Sequence, residues 1–190
     1  MTEVAFSPEG TRLATASADG AAKMWEVASG KELFAISNPN GKALRGLAFS
    51  PDGARIAAAS AEGAIKIWSA TSGKELRRIA TSNVALTGIA FSPNGTRLAT
   101  AGADGIVKVW DAVSGQELLM LASHSGAVNG LAFSPDGRRL ATAGNDKTAR
   151  VHALHIEDLI TLARTRVIRN LTREECRKYL LLENCPPLPF

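Results

Sequence analysis

Four near-copies of one phrase run in phase along the chain. "VAFSPEG", "LAFSPDG", "IAFSPNG" and "LAFSPDG" place Phe at 6, 49, 91 and 133, at intervals of 43, 42 and 42, and Trp at 25, 68 and 110 keeps the same period. Two markers in register over four copies define a repeat of about 42 residues. A unit of that size cannot bury its own apolar surface, so each copy must stack against its neighbours.

Within a copy the spacing predicts four short strands. The first ends in Ser-Pro-Asp-Gly, where Pro presets the second turn position, Asp accepts local hydrogen bonds and Gly supplies a positive φ. The second, "RLATAS" or "RIAAAS", is nearly all small residues, as expected where sheets crowd together. A turn at Asp19-Gly20, Glu62-Gly63 or Asp104-Gly105 leads to the third strand, which carries the Trp. "AIKIW" and "IVKVW" are apolar at nearly every position, so both faces of that strand must be covered. A last turn at Ser-Gly opens a fourth strand, "KELFAI", "KELRRI" or "QELLML". Four antiparallel strands per unit at this period describe the blades of a propeller.

The residues resemble WD40 repeats over about 150 of the 190 positions. In that family a second-strand Ser or Thr, the turn Asp, the Trp and a His before the first strand form a hydrogen-bonded chain in each blade. The resemblance carries these structural roles to Thr15, Asp19 and Trp25 in the first copy, to Trp68 in the second, where Ala58 and Glu62 fill the other places, and to Thr100, Asp104 and Trp110 in the third. The fourth has His124, Thr142 and Asp146, with His152 at the Trp position. Asn40 and Ser82 stand at the His position of earlier copies, and no copy carries all four residues.

The fourth copy, "NDKTARVHAL", loses both the Gly and the Trp and has no fourth strand. The expected fold is therefore all-β, a propeller of about four blades over 1–153 (near 3–37, 44–80, 84–122 and 127–153) with the last one incomplete. Four blades lie at the lower limit for a closed ring. The chain is expected to be an open arc, either the C-terminal portion of a larger propeller or half of a ring that another chain completes. From 154 to 190 the apolar period changes to that of helices: 156, 159, 160, 163, 167 and 171 share one face, and "TREE" forms a capping box for a second helix. This two-helix tail, "LTREECRKYL" above all, is similar to the extension of propellers that end large bacterial signalling proteins, whose upstream domain is a STAND-type NTPase, a kinase or another effector.

The net charge of +4 is spread thin, with five acids diluting the six cations of the tail and Tyr179 its only interleaved ring before the terminal Phe190, which argues against nucleic-acid binding. No apolar run approaches a membrane span. Only Cys176 and Cys185 are present, without a Cys-x-x-Cys or a secretory leader, which points to the cytoplasm. His152 and His155 lack further ligands at metal spacing, and Cys176 lacks an oxyanion device. No Walker loop, dinucleotide fingerprint or nucleophile elbow occurs. The sequence therefore predicts a protein without catalytic, cofactor or metal residues, and the resemblance implies a module that binds a protein or peptide. The resemblance places its contact face at Arg45, Thr87, Asn129 and Asn145. The alternatives are a self-assembling half-propeller with no ligand of its own, and a nucleic-acid contact through the tail.

Overall fold

A computed structural model describes residues 1–38, 41–81 and 84–154. The chain divides into two compact units, Met1–His152 and Ala153–Phe190. The tail helices expected over 154–190 lie outside the described residues beyond Leu154, as do Asn40, Ser82, His155 and both cysteines.

The first unit consists of four antiparallel sheets, each a simple meander. Strands β1 (Glu3–Phe6), β2 (Arg12–Ala16), β3 (Ala21–Glu26) and β4 (Glu32–Ser37) form the first. Strands β5 (Leu44–Phe49), β6 (Arg55–Ser60), β7 (Ala64–Ser69) and β8 (Glu75–Ala80) form the second, and β9 (Leu86–Phe91), β10 (Arg97–Gly102), β11 (Ile106–Asp111) and β12 (Glu117–Ala122) the third. The fourth has three described strands, β13 (Val128–Phe133), β14 (Arg139–Gly144) and β15 (Ala149–Ala153).

Local chemistry sets the hairpins. In each Ser-Pro-x-Gly turn the Gly amide donates to the Ser carbonyl, at 2.8 Å in all four copies, and the Ser hydroxyl accepts the amide that restarts the chain, as from Arg12 to Ser7 at 3.0 Å and from Arg55 to Ser50 at 2.9 Å. Strand pairing then fixes which residues share a face. Leu13 lies opposite Trp25, and Thr15 opposite both Lys23 and Val4, so these form one face of the first sheet; Ala14, Ala16, Ala22 and Met24 form the other.

Sheets stack by one rule. The Ala-rich face of the first packs on the Trp-bearing face of the second, joining Ala14, Ala16 and Met24 to Leu47, Ile56 and Trp68. The Ala-rich face of the second packs likewise on the third, joining Ala57, Ala59 and Ile67 to Ile89, Phe91, Leu98 and Trp110. Alanines at the centre let the backbones come close, and the large side chains of the next sheet fill the space. The innermost strands lie side by side in the order β1, β5, β9, β13. A Cβ on Gly46 would stand 2.8 Å from the Gly88 Cα, so only glycine allows this approach of β5 and β9.

The missing glycine of the fourth copy has a steric explanation. Gly20 and Gly105 have positive φ, and a Cβ there would meet the Lys42 carbonyl at 2.8 Å and the His124 carbonyl at 2.1 Å, both in the segment leading to the next sheet. Lys147 takes the same left-handed conformation, with φ 63°, as the only non-glycine to do so among the described residues. No described residues lead from the fourth sheet to another. The remaining cost at Lys147 is the left-handed backbone itself, so Lys147→Gly is expected to raise the unfolding free energy by about 1 kcal/mol, measured by urea denaturation.

Candidate functional site

Two groups of side chains can be built from the repeat: a polar chain between strands, and a hollow where the inner strands meet. In the first and third sheets the Trp indole donates across to the second strand, Trp25 Nε1 to Thr15 Oγ1 at 3.1 Å and Trp110 Nε1 to Thr100 Oγ1 at 2.9 Å. Asp19 and Asp104 each accept the backbone amide two residues on, from Ala21 at 2.9 Å and from Ile106 at 3.1 Å, and so hold the turn.

The fourth sheet joins more groups. His124 Nδ1 stands 2.9 Å from Asp146 Oδ1, and its Nε2 stands 2.9 Å from Thr142 Oγ1. His152 Nε2 lies 3.3 Å from Thr142 and 2.8 Å from the buried Ser123 hydroxyl. One proton arrangement satisfies every contact with both rings neutral: His124 Nδ1–H donates to the carboxylate, Thr142 donates to His124 Nε2, and His152 Nε2–H donates to Thr142 and Ser123. His152 therefore makes the hydrogen bond to the second strand that Trp makes elsewhere. Asp146 is held well below the ordinary carboxylate range, first by the Thr148 hydroxyl and also by His124.

The pH response follows from His152. Burial first, and after it the neighbouring His124 and Arg150, lower its pKa below the ordinary 6.5. The unfolded chain thus takes up this proton first on acidification, so the stability contribution is complete above pH 6.5 and is lost as pH falls below it. Chemical denaturation at pH 7.5 and 5.5 should show this loss in the wild type and a smaller one in His152→Gln.

Sequence reasoning missed a buried ion group in the second sheet. Lys66 is 0% exposed; its Nζ donates to Asn38 Oδ1 and stands 3.2 Å from Glu62 Oε1, which also accepts from Arg78 at 2.9 Å. The matching Lys23 and Lys108 instead reach Glu32 and Glu117, at 2.8 and 2.9 Å, and lie 5.5 Å from the Trp rings of their own strands. The available signal was Ala58: it lies opposite Lys66, where Thr15 and Thr100 lie opposite Lys23 and Lys108.

The hollow has a volume of about 200 Å³ and is lined from all four inner strands, by Glu3, by Gly46 and Leu47, by Thr87 to Ile89, and by Asn129 to Leu131. Of the four expected contact residues, Thr87 and Asn129 line it. Thr87 Oγ1 donates to the Val128 carbonyl at 2.5 Å, and Asn129 Nδ2 donates to Asn145 Oδ1 at 2.6 Å, which ties Asn145 to the rim. Arg45 is exposed on β5 and does not line the hollow. Glu3 was not anticipated; it occupies the position that Gly46, Gly88 and Gly130 hold in the other copies, and so brings a carboxylate to the hollow. Among the described residues no group of three or more His, Cys, Asp or Glu is placed to hold a metal ion, and no helix is long and apolar enough to cross a membrane.

No curated protein matches the sequence. Residues 1–130 match the family described as WDR90, 4th beta-propeller, and residues 115–152 match WD domain, G-beta repeat. The repeat, the Trp-to-Thr bonds, the stacked meanders and these matches agree: the chain belongs to the WD40-repeat β-propeller family.

Proposed function

We infer that the chain is a non-catalytic interaction module that holds a protein or peptide at the hollow between its inner strands. WD40 domains are in general protein-binding and non-catalytic. The observation that carries the reading is the convergence of Glu3, Thr87 and Asn129 from three sheets on one hollow, with Asn145 joined to its rim. Polar groups around a concave surface fix the orientation of a bound segment. A photo-cross-linking residue at Asn129 should capture a partner, and the same residue at the exposed Val113 should not. Capture that is equal at both positions, or that survives Glu3→Ala together with Thr87→Ala, would reject the hollow as the contact.

The wider setting of this proposal is a sensor portion of a larger bacterial signalling protein working in the cytoplasm, supported by the resemblance of the tail sequence. A second reading, in which a copy of the chain completes the propeller, is favoured by the exposure of large side chains on the outer faces of the first and fourth sheets, Phe6 and Val151.

A further inference from the structure

The first two interfaces between successive sheets repeat one contact. Arg12 of the first sheet donates to the Gly53 carbonyl in the second sheet's Ser-Pro-x-Gly turn at 3.1 Å, and to the Ala70 carbonyl at 2.9 Å. Arg55 of the second donates to the Gly95 carbonyl of the third at 3.0 Å, with its guanidinium 5.4 Å from the Phe91 ring. Beneath these cations, alanines of one sheet meet the Phe, Trp and Leu or Ile of the next.

Each end of the stack presents one half of this contact. On the first sheet the Trp-bearing face is open: Phe6 is 63% exposed where the matching Phe91 is 9% exposed, and a Cβ at Gly10 would find no atom within 4 Å. On the fourth sheet the Ala-rich face is open: Ala141 and Ala143 are exposed, and Val151 is 68% exposed where Val109 is 2% exposed. Arg139 stands on that face at the position of Arg12 and Arg55, and is exposed. One end thus holds the cation and the small residues, and the other the carbonyl turn, the ring and the large residues.

We propose that a second copy of the chain docks head to tail, the Phe6 face of its first sheet seated on the Ala141–Val151 face of the fourth, with Arg139 reaching the partner's Gly10 carbonyl and Phe6 ring. The contact deepens the reading that a copy completes the propeller and depends on it. The occupant is chosen by complementarity: the two open faces are the two halves of an interface this chain already makes within itself. Contacts of this heterologous kind leave no free face when two copies close on each other through a pair of them.

Sedimentation equilibrium of the full chain should give twice its 20.0 kDa mass. Phe6→Glu and Arg139→Glu should each reduce this to the single-chain mass while keeping cooperative unfolding. An equimolar mixture of the two variants should recover the double mass, because one contact in the mixed pair then joins two unaltered faces. This recovery cannot come from misfolding. A wild type of single-chain mass would overturn both the contact and the reading that a copy completes the propeller. A double mass in both variants, or a mixture that stays at the single-chain mass, would overturn the head-to-tail contact alone and leave that reading standing. Occupancy of the fourth face by residues 155–190 is an overturning outcome too, seen as a single-chain mass in the wild type together with a loss of stability in Arg139→Glu.

Discussion

Glu62→Ala is expected to lower the unfolding free energy by about 3 kcal/mol or more, because it takes the carboxylate from a lysine that water does not reach. Lys66 is 0% exposed and has Glu62 and Asn38 as its charged and polar neighbours, from its own sheet and the preceding one. Removing one member of a buried pair leaves the desolvation cost of the other in place. Replacing the lysine as well relieves that cost, so Glu62→Ala with Lys66→Met should be more stable than Glu62→Ala alone. Urea midpoints of the single and double variants check this; equal midpoints would mean that Lys66 finds another anion or moves into solvent. Glu9, by contrast, is an exposed carboxylate in a turn. Arg12 holds its pKa down to about 2, and its loss should move the midpoint far less.

Gly105→Ala is expected to cost about 3 kcal/mol or more, and Gly10→Ala about 1 kcal/mol, although both glycines have positive φ. The difference is the neighbour. A methyl at Gly105 would lie 2.1 Å from the His124 carbonyl, which is backbone and cannot turn aside, whereas a methyl at Gly10 meets nothing within 4 Å. Since His124 begins the polar chain of the fourth sheet, Gly105→Ala should also shift the His124 and His152 ring resonances in an NMR spectrum. Equal stability losses in the two variants would show that the left-handed backbone alone sets the requirement for glycine.

The sheets were legible because their signal is local. A Ser-Pro-Asp-Gly turn, a run of small residues and an apolar strand with Trp each act within a few positions, and the period of about 42 repeats them. The match to Trp25 and Thr15, or Trp110 and Thr100, needed only the register of two adjacent strands. Lys66 was not legible, since its environment is made by Asn38, 28 residues away in another sheet, and by the space that Ala58 leaves. The roles of Arg12 and Arg55 were hidden for a related reason: their partners are backbone carbonyls of the following sheet, and a carbonyl has no sequence signature. At the hollow, Thr87 and Asn129 were legible only through the family resemblance, and Glu3 was not, because it departs from the glycine that the pattern puts there.

His152 shows how a departure from the pattern can preserve its physics. Read as letters, it is a lost Trp at the end of the repeats. In the fold its ring nitrogen still meets the second-strand threonine and gains Ser123, at the expense of the area an indole would bury. The exchange adds a titrating group where the other copies have none.

The uniformity of the contact between sheets has a consequence for how such a chain changes over generations. At the first two steps an arginine reaches a turn carbonyl of the next sheet and a patch of alanines meets its large side chains, so these contacts by themselves do not distinguish one step from the other. Unequal crossing-over that inserted or removed one whole unit of about 42 residues would leave the same two end faces, with a mismatch only where it separated Lys66 from Asn38. Selection on the number of sheets would then act at the ends, where those faces must be covered, and the interior would gain or lose members with little change to any one contact.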